Sequence, residues 1–127
     1  MNEVVREWID KSEGDFLTAT REFQADPPNY DAVCFHAQQC IEKLLKAALI
    51  AKGRIPPKTH DLTVLGGLLN SLHPEWRWPV EELRLLSRSA VVFRYPGEAA
   101  GREEADAALG VSKAMRKRLL SLMKAFC

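Results

Sequence analysis

Apolar residues recur at spacings of three and four along almost the whole chain, while strand-like alternation is nearly absent. The pattern predicts an all-α protein. A first helix is expected from about Glu3 to Phe23, with Val4, Val5, Trp8, Ile9, Phe16 and Phe23 on or near one face and Gly14 interrupting it. Asp26-Pro27-Pro28-Asn29 ends it, because proline cannot continue a helix and restricts the residue before it. Asn29 is an expected N-cap for a second helix, Tyr30 to Lys52, with Asp31 at the positive end of its dipole. Val33, Ala37, Ile41, Leu44, Leu45 and Ala48 would face the core, and Gly53 would stop the helix. A short third helix follows Ile55-Pro56-Pro57, capped by Thr59 or His60 and burying Leu62, Leu65, Leu68, Leu69 and Leu72. Pro79 reads as the first residue of a fourth helix, with apolar positions Val80, Leu83, Leu86, Ala90 and Phe93, closed by Tyr95-Pro96-Gly97. The last helix begins near Gly101 or Arg102 and ends near Phe126, burying Ala105, Leu109, Ser112, Leu119, Leu122 and Phe126. Short links between such helices favour antiparallel neighbours. The expected architecture is an antiparallel up-and-down bundle of four main helices plus a short fifth.

A length of 127 residues fits one domain, 1–127. The formal net charge of +1 gives no general attraction to nucleic acid, so binding of that kind needs a local patch. No apolar run approaches the length of a membrane span, and Met1 to Trp8 is amphipathic rather than a secretory leader. Cys34, Cys40 and Cys127 form no disulfide framework, which suits reduced thiols in a cytoplasm. His36, Cys40 and Cys34 lack the ligand spacing of a zinc site, and neither a metal nor a cofactor is expected. Gly66-Gly67 leads to no phosphate-loop lysine.

The second helix carries the polar pattern Gln39, Glu42, Lys43 and Lys46, and a loop then leads to Thr59-His60-Asp61-Leu62. His36, Gln39, Lys43 and Lys46 share one side, and Glu42 with Lys46 forms a favourable pair four residues apart. By itself this describes a solvated helix face, with His60 or Thr59 satisfying an orphan N–H at a helix start.

These residues also resemble the signature of the HEPN domain family, a likeness covering about residues 3–126. It is specific in Ala32 to Leu62 and weaker around Arg94. The resemblance implies a helical bundle that pairs as a homodimer, with Gln39, Glu42, His60 and Asp61 as structural markers of the fold. It further implies nucleotide or RNA recognition beside a separate minimal nucleotidyltransferase, in some pairs as toxin and antitoxin.

Family members that cleave RNA without metal carry an arginine followed by a histidine after four to six residues. Arg94 stands in the corresponding region, within Phe93-Arg94-Tyr95-Pro96-Gly97, but positions 99 to 101 are Ala99, Ala100 and Gly101. Arg54 and His60 match that spacing, but in the wrong loop. The resemblance therefore implies a non-catalytic binding and partner module, with Arg94, Tyr95, Arg88, Lys43 and Lys46 as candidate nucleotide or RNA contacts. Arginine grips phosphate and an aromatic ring stacks a base. Two alternatives stay open: a divergent metal-independent ribonuclease that keeps Arg94, and a purely structural dimerisation subunit. Against a binding role for Arg94 and Tyr95 stands a structural one, in which Arg94 pairs with Glu98, Glu103 or Glu104 and Tyr95 caps the core. The cluster Lys113, Arg116, Lys117, Arg118 and Lys124 suits the C-terminal end of the last helix and reads first as a solvated face.

Overall fold

Two asparagines start the two N-terminal helices of the computed structural model, which describes residues 2–126. Cys127, the third cysteine of the sequence, lies outside the described residues. Asn2 accepts a hydrogen bond from the Val5 N–H at 2.8 Å and opens α1, Glu3–Gln24. Asn29 accepts from the Ala32 N–H at 3.0 Å and opens α2, Tyr30–Ala51. Each cap satisfies a donor that the first turn leaves without an intrahelical partner. At the far end of α2, Gly53 adopts φ 79°, its N–H donates to Ile50 O at 2.9 Å and the Arg54 N–H donates to Leu49 O at 2.9 Å. This paired closure needs a left-handed residue, which glycine supplies without a Cβ penalty.

The remaining helices are α3, Leu62–Leu72, α4, Val80–Val92, and α5, Arg102–Phe126, with a 3₁₀ turn over Pro74–Trp76. Among the described residues the protein is an all-helical bundle without strands. No described helix is long and apolar enough to cross a membrane. The second helix is central and packs against all four others. Ile41, Leu44, Leu45, Ala48 and Leu49 are therefore buried together with Ala37, Cys40 and Ala47, on nearly every side of the helix.

Several sequence expectations change. Val4 is 51 % exposed, and the buried stripe of α1 is Val5, Ser12, Asp15 and Ala19. Gly14 sits within an unbroken α1. Pro79 is the N-cap of α4 rather than its first residue. The cap of α3 is neither Thr59 nor His60 but Asp61, which accepts from the Thr63 N–H at 2.9 Å and the Thr63 hydroxyl at 2.6 Å. Thr59 supports this turn by accepting from the Asp61 N–H at 3.1 Å. In α5 the buried face is Ala105, Ala108, Ser112, Met115, Leu119 and Met123, leaving Leu109, Leu122 and Phe126 at its margin. Small residues let α5 approach α2, where the Ser112 hydroxyl donates to Ala37 O at 2.9 Å.

Glu42 and Lys46 are also not a solvated pair. Glu42 is 4 % exposed and Lys46 9 %, their charges 3.1 Å apart, with the Lys46 ammonium 5.8 Å from the Trp8 ring centre. Buried charges persist only when paired and hydrogen-bonded, and this pair is.

Candidate phosphate-binding cleft

Three segments that are distant in sequence meet: the Phe35 to Gln39 stretch of α2, the loop His60-Asp61 leading into α3, and α4 with the residues just past its end, from Arg84 to Arg94. Between them lies a cleft of about 640 Å³, within the size range of small-ligand sites. Phe35, Ala90 and Val91 supply apolar wall. Gln38, Gln39, His60, Thr63 and Ser87 supply neutral polar groups, and Arg84, Arg88 and Arg94 supply positive charge against the single carboxylate of Asp61.

The arginines arise from helical spacing. Arg84 and Arg88 are one turn apart on α4, and Arg94 lies just past its end, where the Phe93 N–H donates to Ser89 O and the Arg94 N–H to Val91 O. Arg84 is partnered by Glu81 at 2.9 Å. Arg88 and Arg94 form no ion pair among the described residues, so the expected competitors Glu98, Glu103 and Glu104 do not hold Arg94. Its guanidinium instead lies 5.8 Å from the centre of the Phe35 ring, within cation–π range. A guanidinium held over an aromatic edge of a cleft keeps its donors available to phosphate.

His60 is set by a polar chain rooted in α2. Its Nδ1 lies 3.0 Å from Glu42, while its side chain is 85 % exposed. Buried Gln38 donates to Glu42 at 3.2 Å and to the His60 carbonyl at 3.0 Å, and Gln39 donates to the Gln38 oxygen at 2.9 Å. The Leu62 N–H at the start of α3 is met by the Ser87 hydroxyl of α4 at 3.1 Å, which ties the two walls together. Asp61 stays charged: hydrogen bonds from the Thr63 hydroxyl and backbone outweigh its slight burial and hold its carboxyl below the ordinary value.

The structure thus brings Gln39, His60, Asp61, Arg88 and Arg94 into one cleft. Lys43 and Lys46 are not among its lining residues. Lys43 and His36 both engage Asp15 of α1, His36 at 2.8 Å, and Lys46 engages Glu42. Tyr95 is 62 % exposed, lines no part of the cleft and does not close the core. Arg54 lies outside the cleft as well.

Gln38, Phe35 and Ser87 were not singled out by sequence reasoning. The doubled Gln38-Gln39 one turn before Glu42 was the available signal for the first, and nothing local marked the other two. Within the C-terminal basic cluster Lys113, Lys117 and Lys124 are exposed, whereas Arg116 and Arg118 make structural contacts. Arg116 makes two hydrogen bonds of 2.8 Å to Glu13 and lies 4.6 Å from the Phe16 ring centre, and Arg118 donates to Trp76 O at 2.9 Å. Hydrogen bonding to Glu13 raises the Arg116 pKa further. Among the described residues, no three His, Cys, Asp or Glu side chains converge as a metal site.

The family model of the HEPN domain matches residues 5–122. The crystal structure of TT1696 from Thermus thermophilus is similar over 95 % of this chain and 98 % of that one, with 26 % sequence identity and a TM-score of 0.78. ST0689, described as an archaeal HEPN homologue, is similar in fold over 97 % of this chain and 99 % of that one, at 20 % identity and a TM-score of 0.72. No curated protein matches the chain.

Proposed function

Since the chain belongs to the HEPN domain family, we propose that it is a nucleotide- or RNA-binding module whose cleft between α2, α3 and α4 grips phosphate with Arg88 and Arg94. One observation carries the reading: residues distant along the sequence line a single cleft in which two arginines have no carboxylate partner among the described residues. Charge-assisted, planar donors of this kind suit phosphate oxygens. The Phe35 ring and Val91 offer apolar surface for a base beside them.

The module acts in the cytoplasm as a homodimer and as the partner of a separate minimal nucleotidyltransferase, in a pair that can serve as toxin and antitoxin. Family membership supports this part, together with exposed apolar side chains on this part of the bundle: Val64 on α3, and Leu85, Val91 and Tyr95 on or beside α4.

The test is fluorescence anisotropy with a labelled short single-stranded RNA and with a mononucleotide. Arg88→Ala and Arg94→Ala are expected to weaken binding about tenfold or more each. Absence of binding by the wild type, or unchanged affinity in both variants, would sink the reading.

A second reading, metal-independent RNA cleavage, is favoured by the presence of His60 and Arg94 in the same cleft. Imidazole and guanidinium supply the proton handling and charge stabilisation such chemistry needs. Cleavage of an RNA pool in the presence of a chelator, lost in both His60→Ala and Arg94→Ala, would replace the non-catalytic reading with this one.

A further inference from the structure

We propose that His60, fixed by Glu42, reads a ribose hydroxyl and makes the cleft discriminate RNA from DNA. The inference rests on the phosphate-binding reading of the same cleft and adds its selectivity.

Selectivity depends on which polar atoms of the cleft remain free. Arginines only donate, so Arg88 and Arg94 recognise the anionic part of a ligand. Gln38 is engaged within the protein: its nitrogen donates to Glu42 and His60 O, and its oxygen accepts from Gln39. One Asp61 oxygen accepts twice from Thr63, and the Ser87 oxygen accepts from the Leu62 N–H.

His60 differs from these. A carboxylate is an acceptor only, so the 3.0 Å contact to Glu42 places the proton on His60 Nδ1. In the neutral ring, Nε2 is then an acceptor, and it has no partner among the described residues. The ring edge opposite Glu42 is open, on a side chain 85 % exposed at the cleft wall. Glu42 cannot turn away to release the ring, because Lys46 and Gln38 hold it from the buried side.

A cleft with phosphate donors and an acceptor held in place at its wall complements a phosphate flanked by a hydroxyl donor. RNA carries that hydroxyl on every sugar and DNA lacks it.

The experiment compares labelled oligouridylate with oligodeoxyuridylate of equal length, so that base and charge are matched, and adds the 2′-O-methyl oligomer. Wild-type protein is expected to bind the ribo-oligomer about five- to tenfold more tightly than the other two. His60→Ala, with its fold confirmed by a thermal melt, should remove that preference by weakening ribo binding alone. Glu42→Gln, checked for helicity, should lower the preference while His60 remains, since an amide can either accept from or donate to Nδ1 and no longer fixes the ring's tautomer.

Equal wild-type affinity for all three oligomers overturns the inference and leaves the phosphate reading standing. So does an equal loss for ribo and deoxy oligomers in His60→Ala. If the wild type binds none of them, the phosphate reading itself fails and takes this inference with it.

Discussion

The Nδ1 of His60 lies 3.0 Å from a carboxylate oxygen of Glu42, which joins an exposed cleft residue to a charge buried between α2 and its neighbours. The same carboxylate holds the Lys46 ammonium at 3.1 Å. Removing one member of such a pair strands the other charge away from water, which typically costs about 3–5 kcal/mol. Glu42→Ala is therefore expected to lower unfolding free energy by about that amount in urea titrations, whereas Lys46→Met, which spares the His60 contact, should cost less. Combining Glu42→Leu with Lys46→Met should recover much of the loss. A double variant as unstable as Glu42→Ala would show that the carboxylate matters through Gln38 and His60 rather than through Lys46.

Binding by Arg88 and Arg94 has an ionic signature. Each phosphate contact releases condensed counterions, so the slope of log affinity against log salt scales with the number of contacts, at about 0.7 per contact for single strands. Arg94→Ala is expected to reduce that slope by about one contact and to weaken all oligomer sequences alike. Lys43→Ala should leave the slope unchanged, because its ammonium is engaged with Asp15 of α1 rather than with the cleft. A loss of slope in Lys43→Ala would relocate the binding surface to the α1–α2 face.

Helical periodicity made the helices legible because it responds to side-chain polarity, and it was reliable where polarity and burial agree. Ile41, Leu44, Leu83 and Leu86 are such positions, and all are buried. It misled where a polar side chain is buried with a distant partner. Glu42 and Lys46 carry charge and so resemble a solvated face, and Asp15 gives no sign that His36 and Lys43, 21 and 28 residues away, will enclose it. Along α5 the greater hydrophobicity of Leu109 and Leu122 drew attention from Met115 and Met123, although the tighter approach through Ala105, Ala108 and Ser112 determines which face turns inward. The cleft was legible only in pieces. His60 and Arg94 could each be nominated, but their meeting depends on α3 and α4 packing together against α2, which no local window contains.

Asp61 caps α3, and its folded-state carboxyl is depressed chiefly by the Thr63 hydroxyl. A depressed carboxyl contributes stability above its unfolded value, and that contribution is lost as pH falls through the folded one. Asp61→Ala is expected to cost about 1 kcal/mol at neutral pH, as N-cap removals do. The gap between variant and wild type should narrow once pH drops below about 4, the ordinary carboxyl range. Asp61→Asn, which keeps the capping oxygen, should lose little at neutral pH. Thermal melts across that pH range test this, and a gap that does not narrow on acidification would place the effect outside the carboxyl's charge.

Cys34 and Cys40 lie fully buried on α2. Burial first, then the nearby Asp31 carboxylate, pushes the Cys34 thiol up to about 11, and burial pushes Cys40 to about 12 despite a hydrogen bond with Ser112. Thiolate is the reactive form, and at pH 8 such thiols are ionised to only about one part in a thousand or less. In a Cys127→Ser background, iodoacetamide is expected to leave both cysteines unmodified until denaturant is added. Rapid stoichiometric labelling of the folded variant would mean that α2 opens to solvent well below the unfolding transition.

Gly66 lies where α3 meets both Leu83 of α4 and the indole of Trp78. A Cβ at this position would stand 2.6 Å from Leu83 Cδ1 and 2.6 Å from Trp78 Cε3. One of these neighbours can rotate away, but both press on the same point, and Gly67 also faces the indole, at ordinary contact distance. Ala is otherwise the better helix former, by about 1 kcal/mol, so the sign of Gly66→Ala measures the packing against the propensity. Overpacking of a well-filled site costs about 1–3 kcal/mol and should win, because Leu83 is fully buried and cannot give way cheaply. Gly66→Ala is expected to destabilise the protein, with a shift in tryptophan emission as Trp78 moves outward. The exposed Gly14, with nothing within 4 Å of its added Cβ, is the control: Gly14→Ala should stabilise α1. Stabilisation by both substitutions would show that α3 and α4 sit further apart in solution, and the cleft that α4 walls would be wider with them.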